Sequence, residues 1–478
     1  MNAGRTRLLA DGGWPSLLLG GLVGATIVAA PWAPPALLVA AAFAVAGAVW
    51  PAIPIGAIFL AMLFDQLGLT GMKVADLPVT LSKLSVLAAL PLWVVHAALY
   101  RRPPVRWHPV LGAMLVFIAS MALSFVAAGG WSDDGFQLFM GMGMLVVLVG
   151  LVHAALAEQP LTRVYRVLSL ALVTTIGASL LLGMSGDDGR ATGTWEDPNE
   201  WATVVLLLTP TMLGGLVEDR SVAARLLRVA LLLLAPAAVI FSESRAAFLV
   251  GIPVAGALVY LLRRHRGELL LCVVLAAVAL PASGRLDDAV ARYRTLVDRI
   301  QGTAVVEDTS LSERSELLRQ GVDLFQEHWL VGVAPGNFRT ATGYIPIKGG
   351  TKTAHNTYLQ VASEQGLVGL AALLLVVVAI GRTLWSGMRA ATDPVDRSRL
   401  AGVTIGLAAF ALMAATLGLL TLAFAYLVIG LGLAIDTQAR AAAGAASGGL
   451  SRGEADPPTR PGPLGVAASA AEPGARVR

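Results

Sequence analysis

The chain has 478 residues, of which 56% are hydrophobic and 14% charged, and its mean hydropathy is +0.72. A soluble protein carries about 25% charged residues, so disorder, a collagen-like fibre and a disulfide scaffold are excluded and a polytopic membrane protein is expected. The net charge of +4 points to arginines anchoring membrane loops rather than to nucleic acid, and the single cysteine, Cys272, permits neither an intrachain disulfide nor a Cys-rich metal site.

Arg5 and Arg7 precede the first apolar stretch. No small-residue cleavage site separates it from further apolar sequence, so a retained first span starting in the cytoplasm is expected. Crossing the hydrocarbon core takes roughly 17–25 apolar residues. Candidate segments run over 15–31, 35–50, 52–69, 77–99, 109–128, 136–156, 165–184, 200–217, 226–241, 246–262, 267–281, 357–380, 400–417 and 419–435. Several are short or crowded by proline, which gives about 12–14 spans. The loops orient the map. Arg101, Arg102, Arg106, Arg163, Arg166, Arg220, Arg225 and Arg228 fall on one side. The arginine groups at 263–266 and 382–399 fall there too. Asp133, Asp134, Asp187, Asp188, Glu196 and Asp197 lie on the other. Every basic cluster is then cytoplasmic, with both termini inside.

Residues 282–354 form a long loop on the opposite side, with nine Lys/Arg and nine Asp/Glu, and read as a solvated extracytoplasmic domain. Within it, residues 310–330 carry a helix signature. Ser310 and Glu313 fit a capping box, and Leu311, Leu318, Val322, Phe325 and Trp329 fall on one stripe. Arg314, Arg319, Asp323 and Glu327 occupy the other face. Such an amphipathic helix lies along the membrane surface or caps the bundle. The turn GVAPGNF ends it. Residues 437–478, rich in Ala, Gly, Pro and Ser, read as a disordered cytoplasmic tail. The expected fold is therefore all-α: a membrane bundle over 1–281 and 355–436, interrupted by the loop domain.

Ionisable groups at or in the membrane mark functional sites, and four clusters share the non-cytoplasmic side. The segment TWEDPNEWA (194–202) opens a span at Pro198 and Asn199, and an ordinary acidic helix start accounts for it equally well. FSESRAAF (241–248) is a turn, yet a turn does not need Arg245 on that side. Arg314 and Arg319 form the third cluster. AHNTYLQVASEQGLVGL (354–370) puts His355 at a helix entry, where it is either an interfacial anchor or a reactive group. Asn356, Tyr358, Gln360 and Glu364 make the following turns polar, so they face a wet cavity or the apolar span begins only at Gly366.

Arginines with a histidine on one membrane face suit a lipid-anchored diphosphate. Guanidinium groups bind phosphate oxygens in bidentate fashion, and imidazole accepts a proton from a sugar hydroxyl near neutral pH. No P-loop is present, so the substrate must carry its own energy. Asp133/Asp134 and Asp187/Asp188 lack supporting ligands, so no metal and no cofactor are expected.

In their order and membrane side these motifs resemble the O-antigen ligase and polymerase family. The matching pieces are Asp197-Pro198-Asn199, Ser244-Arg245, the block 314–338 and HNTYLQVASEQGLVGL, with the likeness covering about residues 190–380. The resemblance implies metal-independent glycosyl transfer at the outer face of the bacterial inner membrane. The donor would be a glycan on undecaprenyl diphosphate, the acceptor a hydroxyl of lipid A-core or of another glycan. By position, His355 resembles the catalytic base, while Arg245 and Arg314, with Arg319 beside them, resemble diphosphate ligands. Asn356, Tyr358, Glu364, Asn199 and Ser244 would support them. Ligation to lipid A-core, polymerisation of repeat units and transfer to protein share these motifs. A lipid-linked glycan transporter is the competing class, but it would need polar residues spread through mid-membrane, often on broken helices in paired halves.

Overall fold

A computed structural model describes residues 33–64, 73–74, 77–78, 80–185, 190–195, 197–282, 309–343 and 354–452, with isolated positions 290, 291, 294 and 301. It is a bundle of helices. In chain order they are α1 (Ala33–Val49), α2 (Ala52–Phe64), α3 (Leu81–Leu99), α4 (Pro109–Ala127), α5 (Asp133–Leu156), α6 (Leu161–Leu181), α7 (Pro198–Leu216) and α8 (Val222–Phe241). Then follow α9 (Arg245–Leu261), α10 (Arg266–Ala282), α11 (Thr309–Glu327), α12 (Phe338–Thr342), α13 (Thr357–Ala390), α14 (Pro394–Ala414) and α15 (Ala423–Arg452). Lys73–Val74 and Leu77–Pro78 pair as a minimal antiparallel hairpin between α2 and α3. The chain is an all-α polytopic membrane protein.

The helix starts are written locally. Proline occupies the first position of α4, α7 and α14, where its missing N–H costs nothing. Side chains of Thr80, Ser132, Asp197, Ser221, Ser244, Asn356 and Asp393 cap free backbone donors. Short connections force neighbouring helices to run antiparallel. In the middle, α7 is buried along nearly its whole length. Its Gly214 lies against Gly402 of α14, where a Cβ would come within 2.8 Å of the Gly402 Cα. Gly402 and Gly406 form a small-residue ridge that lets the two backbones touch.

Among the described residues seven helices are long and apolar enough to span, α3, α4, α5, α6, α8, α13 and α14, or eight if α1 and α2 together count as one. That is fewer than the expected 12–14. Helices do form at the other described candidate segments, but α9 and α10 have only 17 residues each. α7 and α15 are diluted by polar residues, such as Asn199, Glu200 and the Asp436–Arg440 stretch. The segments expected at 35–50 and 52–69 meet at a 120° bend instead of forming independent spans. The segment expected at 15–31 lies outside the described residues.

A second correction concerns the tail. Residues 437–452 continue α15 as helix, as an alanine-rich stretch favours. Gln438 donates to the carbonyls of Leu156 and Gln159, and Arg440 bonds Asp436 and Ser386. The rest of the tail lies outside the described residues.

The basic clusters collect at one end of the bundle, where they are laced to carboxylates. Glu158 takes both Arg102 and Arg106, Arg166 forms a two-point pair with Asp219, and Arg264 reaches Glu218. The Arg166 hydrogen bonds hold the Asp219 carboxyl at about 2, well below the usual carboxylate range. Arg228, 3% exposed, donates to both oxygens of Glu268 at 2.9 Å and to the carbonyls of Leu216 and Asp219. The family-like motifs collect at the opposite end.

Candidate active site

α13 begins in a strained corner. His355 has φ +47, a left-handed conformation that costs a non-glycine residue on the order of 1–2 kcal/mol. Anchors on its carboxyl side hold it there. Asn356 caps the helix, its Oδ1 accepting from the Leu359 N–H at 3.0 Å. The Thr357 hydroxyl donates to the Leu417 carbonyl at 2.7 Å and accepts from the Leu419 N–H at 2.9 Å. The Tyr358 hydroxyl donates to the Ala411 carbonyl at 2.8 Å. The polar first turns thus clamp α13 to the α14–α15 connection and leave His355, half-buried, at the outermost position. Beside the clamp is a cavity of about 140 Å³ between Trp195, Glu200 and the 418–424 strip.

Glu364 stands at a second joint. α13 is broken at Gly366, whose φ of +66 and ψ of −162 only glycine adopts readily. The sequence left two options for the polar turns, and the break shows that a separate short helix precedes the apolar span. Donors freed by the break are met by the loop after α11: Leu367 N–H binds the Trp329 carbonyl at 2.7 Å, and Val368 N–H that of Leu330 at 3.2 Å. Val333 returns its N–H to the Ser363 carbonyl, and Ser124 of α4 donates to the carbonyls of Val331 and Glu364. The Glu364 side chain, 1% exposed, accepts from Phe338 N–H at 3.3 Å. GVAPGNF and the Glu-x-Gly-Leu segment are therefore two halves of one joint.

α11 rests on this joint. Leu317, Leu324, Phe338 and Ala354 form one buried cluster, and Gly321 faces Leu359, where an added Cβ would come within 2.8 Å. This corrects the predicted stripe: Leu318, Val322 and Trp329 are exposed, and the face that packs is the adjoining one. Periodicity located the helix but could not choose between two neighbouring apolar sectors. The correction matters for the arginines. Arg314 is seven residues before Gly321, hence on the packing face, and Leu317 beside it shares a cluster with Ala354, the neighbour of His355. Arg319 is on the far side, exposed, bonded to Glu316 at 2.7 and 3.0 Å and to Asp323 at 2.8 Å. Hydrogen bonds from Arg319 and Gln320 hold Glu316 at about 2. Arg314 thus falls on the packing face of α11 and Arg319 on its exposed face.

The remaining motif is the turn between α8 and α9. Ser242 and Ser244 are fully buried, Glu243 between them has φ +51, and Ser244 caps α9 by accepting from Ala247 N–H. Arg245 takes the first position of α9, half-buried. Arg190, which the sequence reading passed over, ties this turn to the start of α7. Its Nε donates to the Ser242 carbonyl at 2.9 Å and a terminal nitrogen to Asn199 Oδ1 at 3.3 Å. Asn199 in turn donates to Asp197. The signal was available, since Arg190 is an arginine on the acidic side, as is Arg245. Of the four non-glycine residues with left-handed backbone among the described residues, three (Glu243, Ala334 and His355) sit in these motif turns. Among the described residues no three His, Cys, Asp or Glu side chains gather as metal ligands. Asp187 and Asp188 lie outside them.

No curated protein matches the chain. Residues 229–374 match the family model described as O-antigen ligase, a stretch running from α8 through Arg245, α11 and His355 to beyond the break at Gly366. This segment, less than a third of the chain, is similar to the O-antigen ligase family.

Proposed function

We propose that this protein transfers a glycan from undecaprenyl diphosphate to a hydroxyl of lipid A-core at the outer face of the bacterial inner membrane. The observation that carries the reading is His355, held in a left-handed conformation between the Leu317–Ala354 cluster and the Asn356–Tyr358 clamp. Strain of this kind persists only where surrounding structure enforces it, and it concentrates at sites of function. The basic end would face the cytoplasm, which puts His355 and the motif turns outside.

In the reaction, the bond between the first sugar carbon and the diphosphate oxygen breaks, and its electron pair leaves with undecaprenyl diphosphate. The acceptor oxygen forms the new bond to that carbon, and its proton passes to the His355 imidazole. Arg314, on the helix face turned toward His355, and Arg245, at the start of α9, would bind the diphosphate as negative charge builds on it. Asn199 and Ser244 hold the Arg245 turn, Asn356 and Tyr358 hold the His355 corner, and Glu364 holds the joint at Gly366. No metal takes part in this scheme.

The test is transfer by purified protein given an undecaprenyl-diphosphate-linked glycan and lipid A-core. Lysine keeps the charge of arginine but loses its planar fork, so Arg245→Lys and Arg314→Lys should each lower the rate at saturating donor by about tenfold or more. EDTA should leave the rate unchanged. Full rates in both variants would overturn the diphosphate assignment. A product of joined repeat units with no glycan on lipid A-core would replace this acceptor with a growing glycan.

A further inference from the structure

At the basic end, away from every motif above, a second cavity of about 260 Å³ opens where the α1–α2 bend meets the ends of α3 and α5. Its walls include Trp50, Trp93, His96 and Tyr100, and its polar side is made by Arg102, Arg106 and Glu158. The aromatic wall is ordered. The His96 ring stacks on Trp93 with centroids 5.4 Å apart and leans on Tyr100 at 4.5 Å. Trp93 is pinned by donating to the Pro104 carbonyl at 2.7 Å, and His96 Nδ1 lies 2.8 Å from the Ala48 carbonyl.

Charge in this cavity does not balance locally. Two guanidinium groups, Arg102 and Arg106, share the single carboxylate of Glu158. Arg102 is half-exposed, and it follows Arg101, whose φ of +52 is the one left-handed non-glycine backbone at this end among the described residues. That strained turn directs the chain back across the cavity from Tyr100 to Arg106. The mouth meets the lipid-facing surface: Leu99 of α3 is 66% exposed, Tyr100 49% and Trp50 59%. Exposed tryptophan and tyrosine at the end of an apolar helix mark headgroup depth. A cavity there needs a ligand with a polar anionic head and an apolar body.

We propose that this cavity is a binding site for the phosphate of an anionic phospholipid, seated on Arg102 and Arg106 with its glycerol and upper acyl chains against Trp50 and Tyr100. Arginine recognises phosphate by paired N–H bonds, and basic pockets between membrane helices take anionic headgroups by this chemistry. Binding would tie the α1–α2 bend to α3 and α5, far from the transferase site.

The experiment is native mass spectrometry of the detergent-solubilised full chain titrated with dioleoyl phosphatidylglycerol or dioleoyl phosphatidylcholine. The first should bind at least about tenfold more tightly, and Arg102→Ala with Arg106→Ala should remove that preference. Glu158→Gln keeps the side-chain volume but frees both guanidinium groups, so it should tighten phosphatidylglycerol binding. Equal affinity for the two lipids, an unchanged preference in the double arginine variant, or weaker binding in Glu158→Gln would overturn the site. Displacement of phosphatidylglycerol by millimolar inorganic phosphate would overturn the lipid as its occupant.

Discussion

At the basic end of the bundle Arg228 is sealed in the interior with Glu268 and two carbonyls, while at the motif end His355 is half-buried on a strained backbone. The two ends use the same kinds of residues to different effect. Arg102, Arg106, Arg166, Arg228 and Arg264 of the basic end meet carboxylates on other segments, and the result is a set of ties between helix ends. At the motif end serines, asparagines and carbonyls do the tying: Ser244, Asn356, Thr357 and Ser124 hold turns that helices alone would not adopt. Ion pairs fix the frame at one end. At the other, caps and hydrogen bonds hold a few residues in conformations the backbone resists.

The contrast predicts where substitutions harm the fold and where they harm chemistry. The largest effect on stability belongs to the basic end. Arg228→Ala leaves Glu268 buried without its main partner, and breaking a buried pair in this way costs about 3–5 kcal/mol. Thermal unfolding in detergent should show a marked loss of stability, while the folded fraction that remains transfers glycan at the unmodified rate. A reduced rate per folded molecule would mean that the two ends are coupled.

The smallest effect is expected on the exposed face of α11. Among the described residues Arg319 pairs only with Glu316 and Asp323 of its own helix, and solvent screens exposed pairs of this kind. Arg319→Ala should therefore leave the thermal unfolding in detergent and the transfer at saturating donor both unaltered. A substantial loss of transfer would bring Arg319 back into the site beside Arg314.

Much of this was legible in the chain. Apolar length located the helices, and charge asymmetry separated the two ends before any contact was known. Proline after Asp197 announced a helix start that the structure keeps. What the sequence could not decide was set by tertiary contact. Leu318 and Leu317 are equally apolar, and only the position of Gly321 against Leu359 selects the buried face of α11. Gly366 is one glycine among 51, and its role depends on carbonyls supplied by Trp329 and Leu330, more than 30 residues earlier. Arg190 gained meaning only when the structure brought it to Ser242 and Asn199.

The central claim is that the strained corner at His355 serves chemistry and not the fold, and His355→Gly tests it most directly. Glycine adopts a positive φ without the steric penalty, so the variant should fold at least as stably as the unmodified protein. Without the imidazole, transfer from undecaprenyl-diphosphate-linked glycan to lipid A-core should fall by about 10²–10⁴-fold, the range general-base catalysis contributes. Stability and turnover measured on one purified preparation separate the two roles. Full stability with transfer reduced to that extent is the predicted result. Near-normal transfer by His355→Gly would contradict it and reduce His355 to the residue that turns the chain into α13.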